Sequence, residues 1–190
     1  MQRRYTSFTS NKIPKTVGRQ SIALSQMLFG MLLLGLFCGC THTETVVYTP
    51  PQNIETLIAG DSTKVWKLAK RFNGATRMNM EGCFMSYRQS FTRYKTVSDT
   101  NGLHKNCGES VVGQWEITTD SIGHHYIKIK SDQYPSLLHQ PQDYKLFKIL
   151  YASQDSLQLS FVHNQFGTRR RITDLLVRED LVVEDRNFHH

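Results

Sequence analysis

From Gly60 onward the chain alternates apolar and polar positions with the two-residue period of strands. In KVWKLAKRF, residues 64–72, Trp66, Leu68 and Lys70 share one face, and Val65, Lys67 and Ala69 the other. Val111, Trp115 and Ile117 fall in phase around GQWEIT, and Ile127 is in phase with Ile129 in HHYIKIK. DYKLFKILYASQDSLQLSFVH, residues 143–163, has the pattern of a hairpin. Two apolar-rich runs flank Ala152-Ser153-Gln154-Asp155, and Leu157, Leu159 and Phe161 alternate with Ser156, Gln158 and Ser160. A further strand is expected over Arg169–Val177, after a turn at Gly167. Seven or eight short strands, with no amphipathic helix longer than three turns, predict an all-β fold, a sandwich or a barrel. Closure is the economical solution, because an open sheet leaves two edges and one apolar face uncovered. The expected fold class is therefore a small antiparallel up-and-down barrel of about eight strands, with NIETLIAG, residues 53–60, as a short helical turn that plugs or caps one end.

The pattern before Gly60 is different. Met27–Phe37 is an apolar run preceded by Arg3, Arg4, Lys12, Lys15 and Arg19, with no acid before Glu44, which is the order of an export signal. It reaches the roughly 20 residues of a bilayer span only by including Ser21, Ser25 and Gln26. Leu36-Phe37-Cys38-Gly39-Cys40 resembles a bacterial lipoprotein signal, in which a small residue precedes the cysteine that is acylated before cleavage. Cys40, preceded by Gly39, fits that role, whereas bulky Phe37 precedes Cys38. Phe37 also stands where leucine is usual, three positions before the modified residue. An uncleaved membrane anchor and plain secretion are the alternatives, and a Cys-x-Cys metal or redox pair has no second ligand nearby. A multiply acylated cysteine hardly leaves a membrane, at about 0.8 kcal/mol per buried CH₂.

The expected organisation is a signal peptide over 1–39, a flexible Thr-rich tether over 40–58 with Pro50-Pro51, a barrel over 59–180, and a polar tail over 181–190. Removing the signal changes the charge. Residues 1–39 carry five of the 23 Lys+Arg and none of the 16 Asp+Glu, so the formal net charge drops from +7 to +2. The nucleic-acid role that a basic chain would suggest loses its support.

LIAGDSTKVWKL, a cysteine at 83, a second cysteine before GQWEI, and the 143–163 hairpin together resemble the lipocalin-like lipoproteins common in Bacteroidetes, over about Ile58–Val177. The resemblance implies a lipocalin-like barrel. Such domains usually carry an Asp-Gly turn between their second and third strands. CFMSYRQSFTRYKTV, residues 83–97, has none, so a turn falls near Arg88-Gln89-Ser90 or one long bent strand replaces two. Cys83 and Cys107, the thiols left once Cys40 is acylated and Cys38 removed, are expected to pair in an oxidising envelope. The resemblance implies the same bridge. A redox-active pair lacks Cys-x-x-Cys spacing, and a zinc site with His104 and His163 lacks ligand spacing.

The remaining candidates are weaker. His124 and His125 point to opposite faces of a strand and cannot share an ion without a bulge, and His189-His190 closes the tail. Arg169-Arg170-Arg171 reads as a solvated strand start, or as a patch able to touch lipid headgroups or an acidic partner. No nucleophile, zinc-hydrolase or phosphate-loop motif occurs, so the expectation is no enzyme, no cofactor and no metal. The pocket candidates are the inward residues Trp66, Trp115, Phe147 (or Leu146), Leu159 and Phe161, whose plainer reading is core packing. The expected function is noncatalytic binding of a small hydrophobic ligand by a lipoprotein anchored at the outer membrane, on its periplasmic side or at the cell surface. The alternative is a structural or interaction lipoprotein with a packed barrel, meeting another envelope protein.

Overall fold

The computed structural model describes residues 47–165 and 167–189. The signal segment and the acylation candidate Cys40 lie outside them, as does His190. Nine strands form one antiparallel sheet: β1 (Thr63–Asn73), β2 (Thr76–Arg77), β3 (Arg88–Thr92), β4 (Thr96–Asp99), β5 (Val112–Thr119), β6 (His125–Lys130), β7 (Tyr144–Ala152), β8 (Ser156–Gln165) and β9 (Thr168–Arg178). From β3 to β9 each strand pairs with its successor, and β9 returns to β1, so eight strands close into an up-and-down barrel. β2 is a two-residue extension paired only with the end of β1. The all-β, closed and antiparallel expectation holds.

β1 closes the ring by pairing with two strands. Thr63–Lys67 runs beside β3, and Trp66–Asn73 runs beside β9. The register slips between Leu68 and Lys70, with Ala69 as the extra residue. Such a bulge bends a strand and reverses its alternation. Trp66 and Leu68 therefore face inward, as the pattern implies, but after the bulge it is Arg71 that lies opposite Asp174, so Lys70 does not continue the inward row. The Leu68 carbonyl accepts a hydrogen bond of 2.6 Å from Arg186 Nε.

A short helix, α1 (Ile54–Ala59), plugs one end. Ile58 is fully buried among Trp66, Phe91, Trp115, Ile149 and Leu157, and Ile54 is buried with it. Gly60, at φ 66°, ends the helix and donates to Thr56 O at 2.8 Å, a left-handed position where glycine carries no Cβ penalty. The Trp66 indole N–H donates to Ile58 O at 2.8 Å, and the buried Lys64 ammonium donates to Leu57 O at 2.8 Å and to Gln154 O at 2.6 Å. A lysine on the last helical carbonyls also complements the helix dipole. Tyr48 Oη donates to Ala152 O and accepts from Ala152 N, pinning the preceding segment to the end of β7. Ile54 and Ile58, which the sequence places in the tether, thus belong to the barrel core.

Two further expectations are corrected. The turn placed near Arg88–Ser90 lies at Arg93–Lys95, where Lys95 adopts φ 66° and Lys95 N donates to Thr92 O. Residues 83–86 form a helix, α2 (Cys83–Ser86), rather than strand. The described part of the polar tail packs on the barrel: Met80 N donates to Phe188 O, and Arg77 Nη2 donates to Asp185 O. Cys83 and Cys107 form a disulfide with Cα atoms 5.3 Å apart. The expected bridge is therefore present.

Replacing Ile58 by Ala is expected to cost about 3 kcal/mol, the usual range for truncating a fully buried aliphatic side chain, and to shift tryptophan emission to the red as water reaches Trp66. Urea unfolding followed by fluorescence measures both. Replacing Cys83 and Cys107 together by alanine, which opens a loop with a sequence separation of 24, is expected to cost about 3 kcal/mol on the chain-entropy account, read by the same titration.

Candidate functional site

The plug fills only one half of the barrel. Towards the other end, covered by α2, the 100–111 loop and a third short helix, α3 (Tyr134–Leu138), the interior holds a cavity of about 400 Å³. Next to the packed half it is lined by Leu68, Ile129, Leu159 and Leu176. Phe84, Phe147 and Phe161 line it further out, and the last two rings meet edge-on at 5.1 Å. Three of the five pocket candidates, Phe147, Leu159 and Phe161, thus line the cavity.

Trp66 and Trp115 do not. Both are buried in the plugged half and spend their indole N–H groups on carbonyls, Trp66 on Ile58 and Trp115 on Thr92 at 3.1 Å. Trp115 also packs edge-on against Phe91 at 5.5 Å. α1 occupies the space into which a ligand would have to enter to touch them. Leu146, the alternate for Phe147, is on the opposite strand face and 40% exposed.

The cavity also holds charged groups that apolar periodicity does not reveal. Arg71 and Asp174 face each other across the β1–β9 ladder in a two-pronged pair, with Nε to Oδ1 and Nη2 to Oδ2 both at 2.6 Å. The guanidinium lies 4.7 Å from the Phe84 ring. Every charge of this pair has its partner, which is what makes its burial tolerable. Lys145, from β7, is half-buried in the same lining. Its Nζ sits 4.3 Å from the Phe161 ring centre and 5.3 Å from that of Phe147, and among the described residues it makes no ion pair or hydrogen bond. By contrast Lys95, Lys128 and Lys130 each meet a carboxylate. Burial, reinforced by Arg71 and opposed by Asp174, pushes the Lys145 ammonium down to about 8. His163, from β8, is held down by burial and by the positive charges of Lys145 and Arg71, which favours its neutral form. Asp99 is pushed up by burial while accepting the Asn101 N–H at 3.0 Å.

The sequence did carry a signal for two of these groups. Lys145 is in phase with Phe147 and Ile149, and His163 with Leu159 and Phe161, so each is a polar residue on an otherwise apolar face. No such signal exists for Arg71, because the Ala69 bulge alone turns it inward. The other candidates are ordinary. His124 lies 3.0 Å from Asp120 Oδ2, and His125 lies 3.1 Å from Thr119 Oγ1, so the doublet is divided between separate partners. Arg169 and Arg171 are exposed beside the barrel, where they line a second hollow.

Lys145 carries a testable linkage. Its pKa is depressed on folding, so the charged lysine opposes folding at neutral pH, and the opposition fades as the native group deprotonates between about 8 and 10.5. The charges that act on it are Arg71 from β1 and Asp174 from β9, and Lys145 in turn holds down His163 from β8. Lys145→Met is expected to raise stability at neutral pH by on the order of 1 kcal/mol, a value already discounted for solvent screening. The gain should shrink across that alkaline window, as chemical denaturation at several pH values will show.

No protein-family model and no curated protein matches the chain. Among solved structures, a lipocalin-like protein from Bacteroides uniformis is similar to it, with 17% sequence identity, a TM-score of 0.39, and coverage of 60% of this chain and 94% of that one.

Proposed function

We propose that the protein is a lipoprotein of the cell envelope, acylated at Cys40, whose barrel binds a small, largely apolar molecule without catalysis. The observation that carries the binding role is the half-hollow barrel. Eight strands enclose a space that α1 fills at one end only, and the rest is a cavity of about 400 Å³ lined by apolar side chains together with a few polar and charged ones. That volume falls within the roughly 300–1,000 Å³ of small-molecule sites, which combine apolar walls with a few placed polar groups. The packed-barrel alternative describes the plugged half well but not the half beyond Leu68. Asp174 is engaged by both prongs of Arg71, which suits a group that fixes cavity charge better than one that moves protons. Anchoring rests on the sequence around Cys40, and the outer membrane, on its periplasmic side or at the cell surface, is the proposed location. An envelope protein partner remains part of the alternative reading, with Arg169–Arg171 as its basic patch.

Full-length protein extracted from its host membrane is expected to release a small molecule into organic solvent. The variant Leu159→Trp, which fills the cavity at an overpacking cost of about 1–3 kcal/mol, should release none. An empty wild-type protein, by native mass spectrometry and by extraction, would refute the binding role. Labelled palmitate should enter the wild-type chain and not Cys40→Ala; an unlabelled wild-type chain would refute the anchor.

A further inference from the structure

The barrel wall is incomplete between β7 and β8. Their ladder runs from Ala152↔Leu157 to Lys148↔Ser160 and stops there. Beyond that point Tyr144–Phe147 stays paired with β6, and Phe161–Gln165 stays paired with β9. The two strands therefore part over the half of the barrel that holds the cavity. A register slip on β7, between Ile149 and Tyr151, lies next to the parting, and bulges of this kind increase local twist. On the outside of the gap lies the second hollow. It shares Leu138, Lys145, Phe161 and His163 with the interior cavity, so the same side chains border both spaces. Tyr144, Leu146 and Val162 on this outer side are each more than a third exposed.

The charge at this opening is one-sided. The outer hollow is lined by Lys145, Lys148, Arg169 and Arg171, and no carboxylate lines it. Of the cations in the cavity, Arg71 has its charge paired with Asp174 through two N–H donors, and His163 is held towards neutrality by its surroundings. Among the described residues Lys145 is the cavity lysine left without a carboxylate or a hydrogen bond, and its ammonium lies near two phenyl rings. An unpaired ammonium beside an apolar cavity costs stability unless an anion completes it.

We propose that the ligand is an anionic amphiphile that enters through the β7–β8 gap, its chain between Phe147 and Leu159 and its acid group on the Lys145 ammonium. This rests on the reading above that the cavity takes a small apolar molecule, and adds its headgroup chemistry and route. Lys148, Arg169 and Arg171 raise the local concentration of anions at the opening and steer the acid group inward. The contact at Lys145 is a charge-assisted hydrogen bond formed away from bulk water, where it is strongest. A carboxylate and a phosphate monoester share this chemistry.

The test uses full-length protein in lipid nanodiscs and three photoreactive diazirine probes of one chain length: decanoic acid, decyl phosphate and decanol. Mass spectrometry of the labelled peptides reads the outcome. At least one anionic probe is expected to label residues 144–148 and 159–163 about tenfold more than the alcohol, the factor expected from about 1.4 kcal/mol of net charge-assisted hydrogen bonding. Which of the two acids labels more strongly identifies the headgroup as carboxylate or phosphate. Lys145→Met should reduce anionic labelling to the level of the alcohol while alcohol labelling persists, and Lys145→Arg should restore the difference. Equal labelling by all three probes, or an anionic preference that survives in Lys145→Met, overturns the headgroup assignment and leaves the cavity reading standing. Absence of cavity labelling with every probe overturns both.

Discussion

The structure depends on how β1 closes the ring. One strand must pair with β3 over its first half and with β9 over its second, and a straight strand cannot follow both neighbours around so small a barrel. The extra residue at Ala69 resolves this by bending β1, and in doing so it exchanges the faces of every residue that follows. Leu68 is the last apolar inward residue before the shift, and Arg71 is the charged one after it. The bulge thus divides the interior into a packed apolar half and a half that contains charge. It also leaves the Leu68 carbonyl in reach of Arg186, so the C-terminal segment is tied to the same irregularity.

The two halves are stabilised differently. In the plugged half, α1 delivers Ile54 and Ile58 into a cluster whose polar atoms are met within the protein: indole N–H groups on carbonyls, and the Lys64 ammonium on the ends of α1 and of the β7–β8 turn. Such a region is rigid because each buried polar group has its partner. In the hollow half, the wall is held by the disulfide, α2 and α3 rather than by a filled centre. A single two-pronged pair, Arg71 with Asp174, spans β1 and β9 there, while the neighbouring Lys145 is left incomplete. That contrast separates a charge satisfied within the fold from the one to which we assign a ligand headgroup. It also implies a cost, since a more stable interior would carry an apolar residue at 145.

The parting of β7 from β8 connects the interior to the basic surface outside. Strand edges within a barrel are normally paired, and here they part beside the exposed apolar side chains Leu146 and Val162. The plug, the gap and the arginine-lined hollow are thus consequences of one arrangement: one end sealed, one side open, and positive charge beside the opening. For a protein tethered by a lipidated N-terminus, as proposed, a side opening bordered by Arg169 and Arg171 would present cations to whatever anionic amphiphiles the nearby membrane holds.

Much of the architecture is written locally in the chain. Alternation around Trp66, Trp115, Ile127, Ile129, Leu157 and Leu159 assigns strands and inward faces, because a period of two with one buried side admits one register. The hairpin at residues 143–163 and the pairing of Cys83 with Cys107 were legible for the same reason, in that few alternatives compete with them. What periodicity could not supply were the exceptions: the bulge that sends Arg71 inward, the turn at Arg93–Lys95, and the helix at 83–86. The bulge depends on closing the ring, a constraint between residues more than 100 positions apart that no local window contains. Whether an inward aromatic lines a cavity or fills a core was likewise decided only by where α1 came to rest, since Trp66 and Phe161 obey the same alternation and differ only in what packs against them.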